Sequence, residues 1–494
     1  MKKIGFDNDA YMRKQSEEII KRIDKFGGKL YLEFGGKLFD DHHASRVLPG
    51  FEPDSKLRML RMISEHAEVI ITISAPDIEK NKVRGDLGIT YDADTLRLID
   101  TFRSFGLYVG SVVITQFSGQ PAAEAFKVKM ERLGMPVYLH YPIDGYPTNV
   151  QHIVSEEGFG KNQYVETSRP LVVVTAPGPG SGKMATCLSQ LYHENKRGIQ
   201  AGYAKFETFP IWNIPLKHPV NLAYEAATAD LNDVNMIDPY HLEAYGITTV
   251  NYNRDIEVFP VLRAMFKQIY GECPYQSPTD MGVNMAGYCI TDDEACCEAS
   301  NQEIIRRYYK AKADYRKGIG SEETVNKIEI LIQQKGISLD ARPVIKAALE
   351  LEEAIEGPVM AIELRDGRIV TGKTSELMGP ASAALLNAVK AMENIERPIH
   401  FISAAAIAPI QRLKTELLGG KNPRLHSDEV LIALSMSAAT DKNAERAFVR
   451  LSDLRGCEAH STVMLSSVDE DIYRRLGINL TCEPRYQVNR LFHK

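Results

Sequence analysis

The sequence predicts an α/β protein whose larger part is a mostly parallel, doubly wound sheet domain. Short apolar runs alternate with amphipathic segments over the first 300 residues, which is the pattern of buried strands separated by helices. One of these runs leads into a strand, loop and helix that resemble a P-loop. After residue 300 the pattern changes to a charged helical segment and then to a smaller α/β unit.

The elements of the N-terminal region follow from their apolar spacing. Short runs of apolar residues predict strands at residues 29–34, 68–74, 109–117, 136–141, 171–175, 202–206 and 248–252. Segments with apolar residues three and four apart predict helices at residues 9–26, 56–67, 92–105, 122–133, 185–197 and 258–270. Such alternation is typical of a parallel sheet covered by helices.

These elements divide the chain into three regions. We expect an α/β phosphate- or nucleotide-binding domain at residues 1–300, a helical bridging segment at 301–356 and a C-terminal α/β domain at 357–494. In the C-terminal domain the pattern predicts a hairpin at 359–371, a helix at 381–392 and strands at 399–404 and 461–466.

The segment LVVVTAPGPGSGKMAT at residues 171–186 is the strongest indication of function. Its glycines lack Cβ, so the loop amides can turn inward toward an anion. Lys183 adds a full positive charge, and the helix that follows offers its N-terminal N–H groups. The predicted phosphate-binding residues are Gly178, Gly180, Ser181, Gly182, Lys183 and Thr186. The alternative is a tight turn with a surface lysine.

The loop departs from the P-loop pattern at two positions. Pro177 stands where the first glycine belongs, and Met184 replaces the hydroxyl that binds Mg²⁺. Ser181 and Thr186 are the nearest hydroxyls that could contact a metal, so the metal ligands stay unknown. The core PGSGK resembles the loop of adenylate-kinase-like enzymes, whose hydroxyl is also displaced by one residue.

Asp255 is the predicted substitute for the missing hydroxyl. It follows the apolar run at 248–252, as a Walker B carboxylate follows its strand. A helix cap is the equally weighted alternative. Lys183 and Asp255 are therefore the candidate catalytic residues, and ATP or another nucleotide with Mg²⁺ is the candidate cofactor. The partner is expected to be a small phosphorylated ligand.

A second segment, GRIVTGKT at residues 367–374, matches the P-loop pattern at every position. Asp366 and Gly367 follow an apolar strand and precede Ile369, Val370 and Thr371, which favours a tight hairpin turn. β-branched side chains would then fill the place of the bare backbone that a phosphate needs. We expect a hairpin here, and a nucleotide site only as the weaker alternative.

Further polar residues follow the predicted strands, where ligands bind in open α/β sheets. After the first strand come Glu33, Gly36 and Lys37, and then Asp40, Asp41, His42, His43 and Arg46, which indicate either a metal site or a capped polar loop. The strand at 202–206 leads to Lys205, Glu207 and Trp212, and in a nucleotide-binding sheet this neighbouring strand commonly faces a second substrate. The segments at 118–120, 144–149 and 277–284 are predicted to be ligand loops or plain turns.

We interpret three of the cysteines and His460 as structural residues. Cys289, Cys296 and Cys297 lack a second CxxC pair, so we expect reduced thiols rather than a zinc site. His460 lies near Cys457 and Glu458, but sequence neighbours seldom form a triad. We expect His460 to be a hydrogen-bonded core residue.

Composition excludes several classes of protein. The chain has 494 residues, of which 44% are hydrophobic and 25% charged, as in ordinary globular proteins. Its net charge of -6 argues against nucleic acid as the main partner. No apolar run is long enough for a membrane span, and the first residues lack a signal peptide. Seven cysteines, an odd number, favour reduced thiols and a cytoplasmic location. A homo-oligomer is compatible with the sequence.

Five segments together resemble a known family. They are EFGGKLFDDHHASRVLPGF, APGPGSGKMATCLSQLYHE, FETFPIWN, SPTDMGVNMAG and GCEAHSTVMLSSVDEDIYRRLGINLTCEP. They are similar, over essentially the whole chain, to a family of bacterial proteins of unknown function. The resemblance implies a multi-domain α/β protein. Some members carry an ATP-dependent peptidase label, but the chain contains neither H-E-x-x-H nor G-x-S-x-G.

The sequence therefore predicts an enzyme that binds a nucleotide or phosphorylated metabolite and performs phosphoryl transfer or another nucleotide-dependent reaction. One alternative is a dinucleotide-dependent enzyme, because Gly180, Gly182 and Ala185 also fit that spacing and Glu207 could contact a ribose. The other is a non-catalytic nucleotide-sensing or assembly protein.

Overall fold

The computed structural model describes residues 3–36, 38, 41–84, 87–396 and 398–487. The chain divides into two compact units. The sheet unit comprises Ile4–Glu225 and Asp233–Ala299, and the C-terminal unit comprises Met1–Lys3, Ala226–Asn232 and Ser300–Lys494. In the described part of the chain, no helix combines the length and apolarity that a membrane crossing requires.

The strands of the sheet unit are mostly short and buried. They are β1 (Leu30–Phe34), β2 (Ala67–Ser74), β3 (Val83–Arg84), β4 (Ile89–Thr90), β5 (Tyr108–Thr115), β6 (Val137–Leu139), β7 (Leu171–Thr175), β8 (Gly202–Phe206), β9 (Asn235–Ile237), β10 (Val250–Tyr252) and β11 (Gly282–Val283). Seven form one parallel sheet in the order β11-β8-β1-β7-β2-β5-β6. The predicted α/β class with a parallel sheet is confirmed.

The predicted helices of this unit are all present. Its helices are α1 (Asn8–Lys25), α2 (His42–Val47), α3 (Ser55–Met62), α4 (Ala75–Glu79), α5 (Tyr91–Ser104), α6 (Pro121–Arg132), α7 (Val150–Ile153), α8 (Lys183–Lys196), α9 (Pro219–Ala227), α10 (Pro239–Tyr245), α11 (Asn253–Tyr270) and α12 (Pro278–Met281). A further helix, α13 (Asp293–Arg316), begins in this unit.

One strand assignment needs correction. The predicted strand at 248–252 exists as β10, but it pairs with β9 in a separate antiparallel ribbon. The seventh place in the sheet belongs to β11. A two-residue strand carries no periodic signal, so the sequence could not reveal it.

The strand order places β7 at a switch point of the sheet. β7 lies between β1 and β2, although both precede it in the chain. The connections after β1 and β2 lead toward the β6 edge, whereas the connection after β7 leads past β1 to β8 on the other side. In open parallel sheets the crevice at such a point, beyond the carboxyl ends of the strands, is where ligands bind.

The C-terminal unit is built on a small mixed sheet. Its strands are β12 (Val359–Glu363), β13 (Ile369–Lys373), β14 (Glu458–Ser461) and β15 (Asn479–Cys482), in the order β13-β12-β14-β15. Its helices, besides most of α13, are α14 (Glu322–Lys335), α15 (Pro343–Ile355), α16 (Pro380–Met392), α17 (Ala404–Arg412), α18 (Ser427–Ala438), α19 (Lys442–Val449) and α20 (Ser467–Arg475). β12 is antiparallel to β13 and β14, and β14 is parallel to β15.

The predicted hairpin and the helix at 381–392 are confirmed, but two strand predictions are wrong in whole or part. Residues 399–403 form no strand, and α17 follows directly. Phe401 and Ile402 are buried in the core, so the apolar run indicated burial rather than pairing. The strand predicted at 461–466 begins earlier, at Glu458, and ends at Ser461. Buried polar residues such as His460 hid it from a hydrophobicity pattern.

The charged stretch at 301–356 is helical, as predicted. It contains most of α13 together with α14 and α15. Val344 and Ala348 of α15 pack against Val359 and Ala361 of β12, so this helix covers the small sheet.

Candidate functional site

The loop between β7 and α8 adopts a tight turn that only glycine favours at two positions. Gly180 has φ +75° and Gly182 has φ +82°, both in the left-handed region. Gly182 caps α8, and no side chain caps the helix from within the described residues. The loop therefore leads directly from the end of a buried strand to an open helix N-terminus.

Neighbouring side chains hold this loop closely. A Cβ at Gly178 would overlap the phenol group of Tyr91, and one at Gly182 would lie 2.9 Å from the Thr115 methyl group. Around Gly180 a Cβ would meet nothing within 4 Å. Ser181 Oγ donates to the Gly178 carbonyl at 2.9 Å, and Thr115 Oγ1 donates to the Ser181 carbonyl at 3.0 Å. The loop is thus fixed before any ligand binds.

The main chain of the loop presents a continuous run of donors. Within the described residues, the N–H groups from Gly180 to Ala185 donate to no acceptor, and Lys183 has no hydrogen bond or ion pair. Ser181 is nevertheless fully buried. Gly180 is exposed and residues 182–185 are half-buried, so an acceptor from outside the chain can reach these donors. With the helix dipole and the Lys183 charge, that acceptor is best an anion.

The two hydroxyls considered as metal ligands differ in their surroundings. Ser181 uses its hydroxyl hydrogen to close the loop. Thr186 is completely buried in the first turn of α8, and its Oγ1 has no hydrogen-bond partner among the described residues. Thr186 is therefore the hydroxyl that remains for a bound ligand or metal.

A buried cluster of charges lies at the end of β8 in the same unit. Lys205 Nζ donates to the Tyr252 phenol and lies 2.5 Å from Asp255 Oδ2 and 3.0 Å from Glu207 Oε1. All four side chains are buried. We call these four residues the Lys205 cluster.

Burial and charge shift the protonation of the Lys205 cluster. Burial disfavours the ammonium ion, but Asp255, Tyr252 and Glu207 outweigh it and raise the pKa of Lys205 above its usual value. Burial also raises the pKa of Glu207 to about 7, with Asp255 adding to the rise and Lys205 opposing it. Glu207 therefore exchanges its proton near neutral pH.

Glu33 connects the cluster to the loop through the sheet. It is the register partner of Val174 on β7 and of Lys205 on β8. Such partners lie about 4.8 Å apart on one face of the sheet. Tyr203 donates to Glu33 Oε2 at 2.6 Å. Burial and Glu33 raise the pKa of Cys187 on α8, whereas Lys183 lowers it. Glu33, Cys187 and Lys183 are therefore coupled electrostatically.

Trp212 completes the surroundings of Glu207. Gly282 on β11 leaves room for the indole ring, and a Cβ there would lie 3.2 Å from Glu207 Oε2. The indole N–H is buried and donates to no described residue. It is a further donor without a partner among the described residues.

Asp255 does not occupy a Walker B position. Since β10 lies outside the parallel sheet, Asp255 follows no strand of that sheet and instead lies in the first turn of α11. There its carboxylate is paired with Lys205. Its role toward a metal stays a prediction.

The second P-loop match has the predicted hairpin structure. Gly367 forms the turn at φ +85°, and β13 pairs with β12 along its length. A Cβ at Gly372 would overlap the backbone of Ala384, so this glycine is required by packing against α16. Lys373 is exposed, and the Thr374 N–H donates to the Pro358 carbonyl. No helix begins directly after Lys373, because residues 374–379 separate it from the start of α16.

The polar segment after β1 contains a capped helix. Asp41 accepts from the Ala44 N–H at 3.1 Å and lies 2.7 Å from Lys56 Nζ. The His43 ring packs edge-on against Phe209. His42 and Arg46 belong to α2, whereas Lys37 and Asp40 lie outside the described residues. The capping alternative is thus confirmed for Asp41.

The three other candidate loops make structural contacts. Gln120 accepts from the Ser118 N–H at 2.8 Å, and Asn149 accepts from the His152 N–H at the start of α7. Ser277 caps α12, and the Asn284 amide donates to the Pro210 carbonyl at 2.9 Å. Each loop is held by its own hydrogen bonds.

The prediction for His460 is confirmed. The ring is fully buried, its Nδ1 lies 2.9 Å from Thr481 Oγ1 and it packs edge-on against Tyr309. Burial lowers the pKa of His460, which favours the neutral ring.

Sequence reasoning missed several groups that the structure brings together. Tyr203 lies two residues before Lys205 on β8, so strand alternation could have placed both on one face. Tyr252 gave no such signal. His218 and Asp293 lie close to Cys297, but 75 residues separate the first two, and no local spacing predicts that contact.

Comparisons with known proteins agree with the resemblance in sequence. The model described as domain of unknown function DUF1846, N-terminal, matches residues 4–336, and the C-terminal model of DUF1846 matches residues 340–492. The UPF0371 protein str1377 of Streptococcus thermophilus (strain CNRZ 1066) is 58% identical over 100% of both chains. The UPF0371 protein spr0309 of Streptococcus pneumoniae (strain ATCC BAA-255 / R6) is 57% identical over the same span. Matched from end to end, the chain belongs to the DUF1846 family of bacterial proteins of unknown function.

Proposed function

We propose that this protein binds a nucleotide or another phosphorylated metabolite at the loop from Gly178 to Lys183 and acts on it in phosphoryl transfer or a related reaction. The observation that carries the proposal is the run of six consecutive N–H donors, partly buried, beside a lysine without a counter-ion in the described part of the chain. Phosphate oxygens are the acceptors that such a run accommodates best.

The place of the loop in the sheet supports the proposal. β7 is the strand at which the connections reverse direction, and its carboxyl end opens into the crevice where parallel sheets bind ligands. A turn of the same composition at a sheet edge or on a hairpin would lack this support, as the segment at 367–374 does.

The Lys205 cluster favours an enzyme over a non-catalytic sensor. A buried carboxyl group whose pKa is about 7 can take up or release a proton at neutral pH, which general acid–base catalysis requires. Lys183 would neutralise phosphate charge, and Glu207 would move the proton of the acceptor group. If Mg²⁺ accompanies the phosphate, the Thr186 hydroxyl fits it better than Asp255, which is paired with Lys205.

The dinucleotide alternative has less support. In a dinucleotide-binding fold the ribose carboxylate ends the strand next to the glycine loop. Here β1 lies between β7 and β8, so Glu207 is roughly 10 Å away across the sheet. Its carboxyl is also buried beside Lys205.

Replacement of Lys183 tests the site. Lys183→Ala removes a charge-assisted contact worth about 1.5 to 3 kcal/mol, so affinity for a phosphorylated ligand should fall roughly 10- to 100-fold. The ligand is first selected from nucleoside di- and triphosphates and sugar phosphates by thermal shift, and titration calorimetry then measures the affinities.

Lys373→Ala is the matched control, because this lysine completes the perfect match to the motif but lies on a hairpin. It should leave affinity unchanged. Equal losses in both variants would contradict the assignment of the site, and a larger loss at Lys373 would move it to the C-terminal unit. If no phosphorylated compound in the thermal-shift screen stabilises the protein, that result would also count against the proposal.

A further inference from the structure

Three potential metal ligands from two distant parts of the chain converge in the sheet unit. His218 directly precedes α9, whereas Asp293 and Cys297 lie one turn apart on α13. His218 Nε2 is 3.0 Å from Asp293 Oδ1 and 3.5 Å from Cys297 Sγ. Cys297 Sγ is 3.8 Å from Asp293 Oδ2. One nitrogen, one sulfur and one oxygen thus lie within 4.8 Å of one another.

The separation of the nitrogen from the sulfur fits an edge of a coordination tetrahedron, and the carboxylate lies close to both atoms. Zinc lies about 2.3 Å from sulfur, about 2.0 Å from imidazole nitrogen and about 2.1 Å from carboxylate oxygen. At tetrahedral angles, ligand atoms with these bond lengths lie about 3.4 to 3.6 Å apart. His218 Nε2 and Cys297 Sγ, 3.5 Å apart, match this range, whereas the Asp293 carboxylate presents Oδ1 to His218 at 3.0 Å and Oδ2 to Cys297 at 3.8 Å. One carboxylate oxygen already lies within 4.8 Å of both partners, so a rotation of the Asp293 carboxylate would complete the set of three ligands.

The donor set selects the metal. A thiolate excludes Mg²⁺ and Ca²⁺, which prefer oxygen ligands, whereas imidazole, thiolate and carboxylate together suit Zn²⁺. The thiolate and the carboxylate carry two negative charges, which balance the charge of the ion. The His218 side chain is 9% exposed and the Asp293 side chain 66% exposed, so the group is open to solvent on one side. A water molecule can then fill the fourth position, as in open zinc sites.

A reactive cysteine is the competing interpretation, and the hydrogen bonds of His218 oppose it. The Val220 N–H donates to His218 Nδ1 at 3.2 Å, so Nδ1 is an acceptor. The proton of the neutral ring therefore lies on Nε2, the atom that faces Cys297. That nitrogen cannot accept the thiol proton, so His218 in this tautomer does not activate Cys297 as a nucleophile.

We propose that His218 Nε2, the Asp293 carboxylate and the Cys297 thiolate bind Zn²⁺ and tie the beginning of α13 to the segment before α9. Binding releases the thiol proton to solvent. The ring proton moves from Nε2 to Nδ1, which gives up the bond from the Val220 N–H. The change of tautomer is a signature that adventitious zinc on the surface would not produce.

Zinc binding to the full chain tests the proposal directly. The purified protein is treated with a chelator and then titrated with Zn²⁺ in competition with a chromophoric indicator. We expect about one tightly bound zinc per chain. Co²⁺ in place of Zn²⁺ should produce a thiolate-to-metal charge-transfer band, and nitrogen-15 NMR of labelled histidine should show the tautomer change at His218.

Variants separate this site from other thiols. Cys297→Ser should abolish the cobalt band, and His218→Asn should weaken zinc binding by at least roughly tenfold. Cys273→Ser is the matched control, since Cys273 is a half-buried thiol of the same unit that donates to the Tyr275 carbonyl. Far-UV circular dichroism confirms that each variant is folded. Absence of a stoichiometric zinc in the unaltered chain, or unchanged binding by Cys297→Ser, would overturn the proposal.

Discussion

Glu207 shows how environment, rather than residue type, sets the chemistry of a single side chain. The sequence predicts its position after the strand at 202–206 but not its protonation. Its protonation depends on burial, on Lys205 of β8 and on Asp255, which reaches the same place from the first turn of α11. Electrostatic coupling between residues 50 apart is not encoded in any local pattern.

The raised pKa of Glu207 makes stability depend on pH. Its pKa rises from 4.5 in the unfolded chain to about 7 in the folded protein. Below pH 4.5 both states hold the proton. Between pH 4.5 and 7 the unfolded chain loses it while the folded protein keeps it, so stability falls as pH rises through this window. Above pH 7 the contribution is constant.

Glu207→Gln removes this titration. We compare the free energy of unfolding of the unaltered protein with that of the variant. The difference should decline by up to about 3 kcal/mol between pH 4.5 and 7. One unit of pKa corresponds to about 1.4 kcal/mol. Urea unfolding at several pH values measures the difference. Parallel pH profiles of the two proteins would contradict it.

At the scale of elements, the loop after β7 depends on glycine for two different reasons. Gly180 has a left-handed backbone in open space, whereas Gly178 lies against the buried ring of Tyr91. The sequence predicts the need for glycine in a phosphate loop. It cannot tell which glycine serves the backbone and which serves packing, because Tyr91 is almost 90 residues away.

Alanine at these two positions should therefore have different consequences. Gly180→Ala should cost about 1 kcal/mol of stability, the cost of a left-handed alanine. Gly178→Ala should cost more, about 1 to 3 kcal/mol, because the methyl group overlaps a ring that cannot move away. Urea unfolding measures both. In a Tyr91→Ala background the cost of Gly178→Ala should shrink, and an unchanged cost would show that the overlap is not its cause.

Element boundaries were predictable where a local signal exists. The helices and the long buried strands follow from apolar spacing, and the Asp366-Gly367 turn follows from its residue types. β11 has only two residues, and Phe401 and Ile402 are apolar without pairing. In these places tertiary contacts decide the structure, so local patterns mislead.

At the scale of the whole molecule, the C-terminal unit encloses a charged network in its interior. Arg342 is completely buried and lies 2.5 Å from Glu458 Oε2, which also lies 3.1 Å from Arg306 Nη1. Arg306 is further paired with Glu303. No local pattern predicts the network, because its members come from one helix (α13), the residue before α15 and a strand (β14).

Removal of the central carboxylate should destabilise this unit strongly. Glu458→Gln leaves two buried guanidinium groups without their shared partner, which should cost about 3 to 5 kcal/mol. Glu350→Gln is the control, since Glu350 is paired with Lys346 on an exposed helix face, and its loss should cost less than about 0.5 kcal/mol. Urea unfolding followed by circular dichroism compares them. Equally small losses of stability in both variants would show that Glu458 contributes little to the stability of this unit.

The place of β7 in the middle of the parallel sheet has a consequence for biosynthesis. The ribosome completes β1, β2, β5 and β6 before it makes β7, yet β7 is the strand that joins β1 to β2. A nascent chain of about 170 residues therefore holds three strand edges without their native partners, namely both edges of β1 and one edge of β2. Unpaired edges readily join other strands, so the emerging chain is exposed to misassembly until its central strand leaves the exit tunnel.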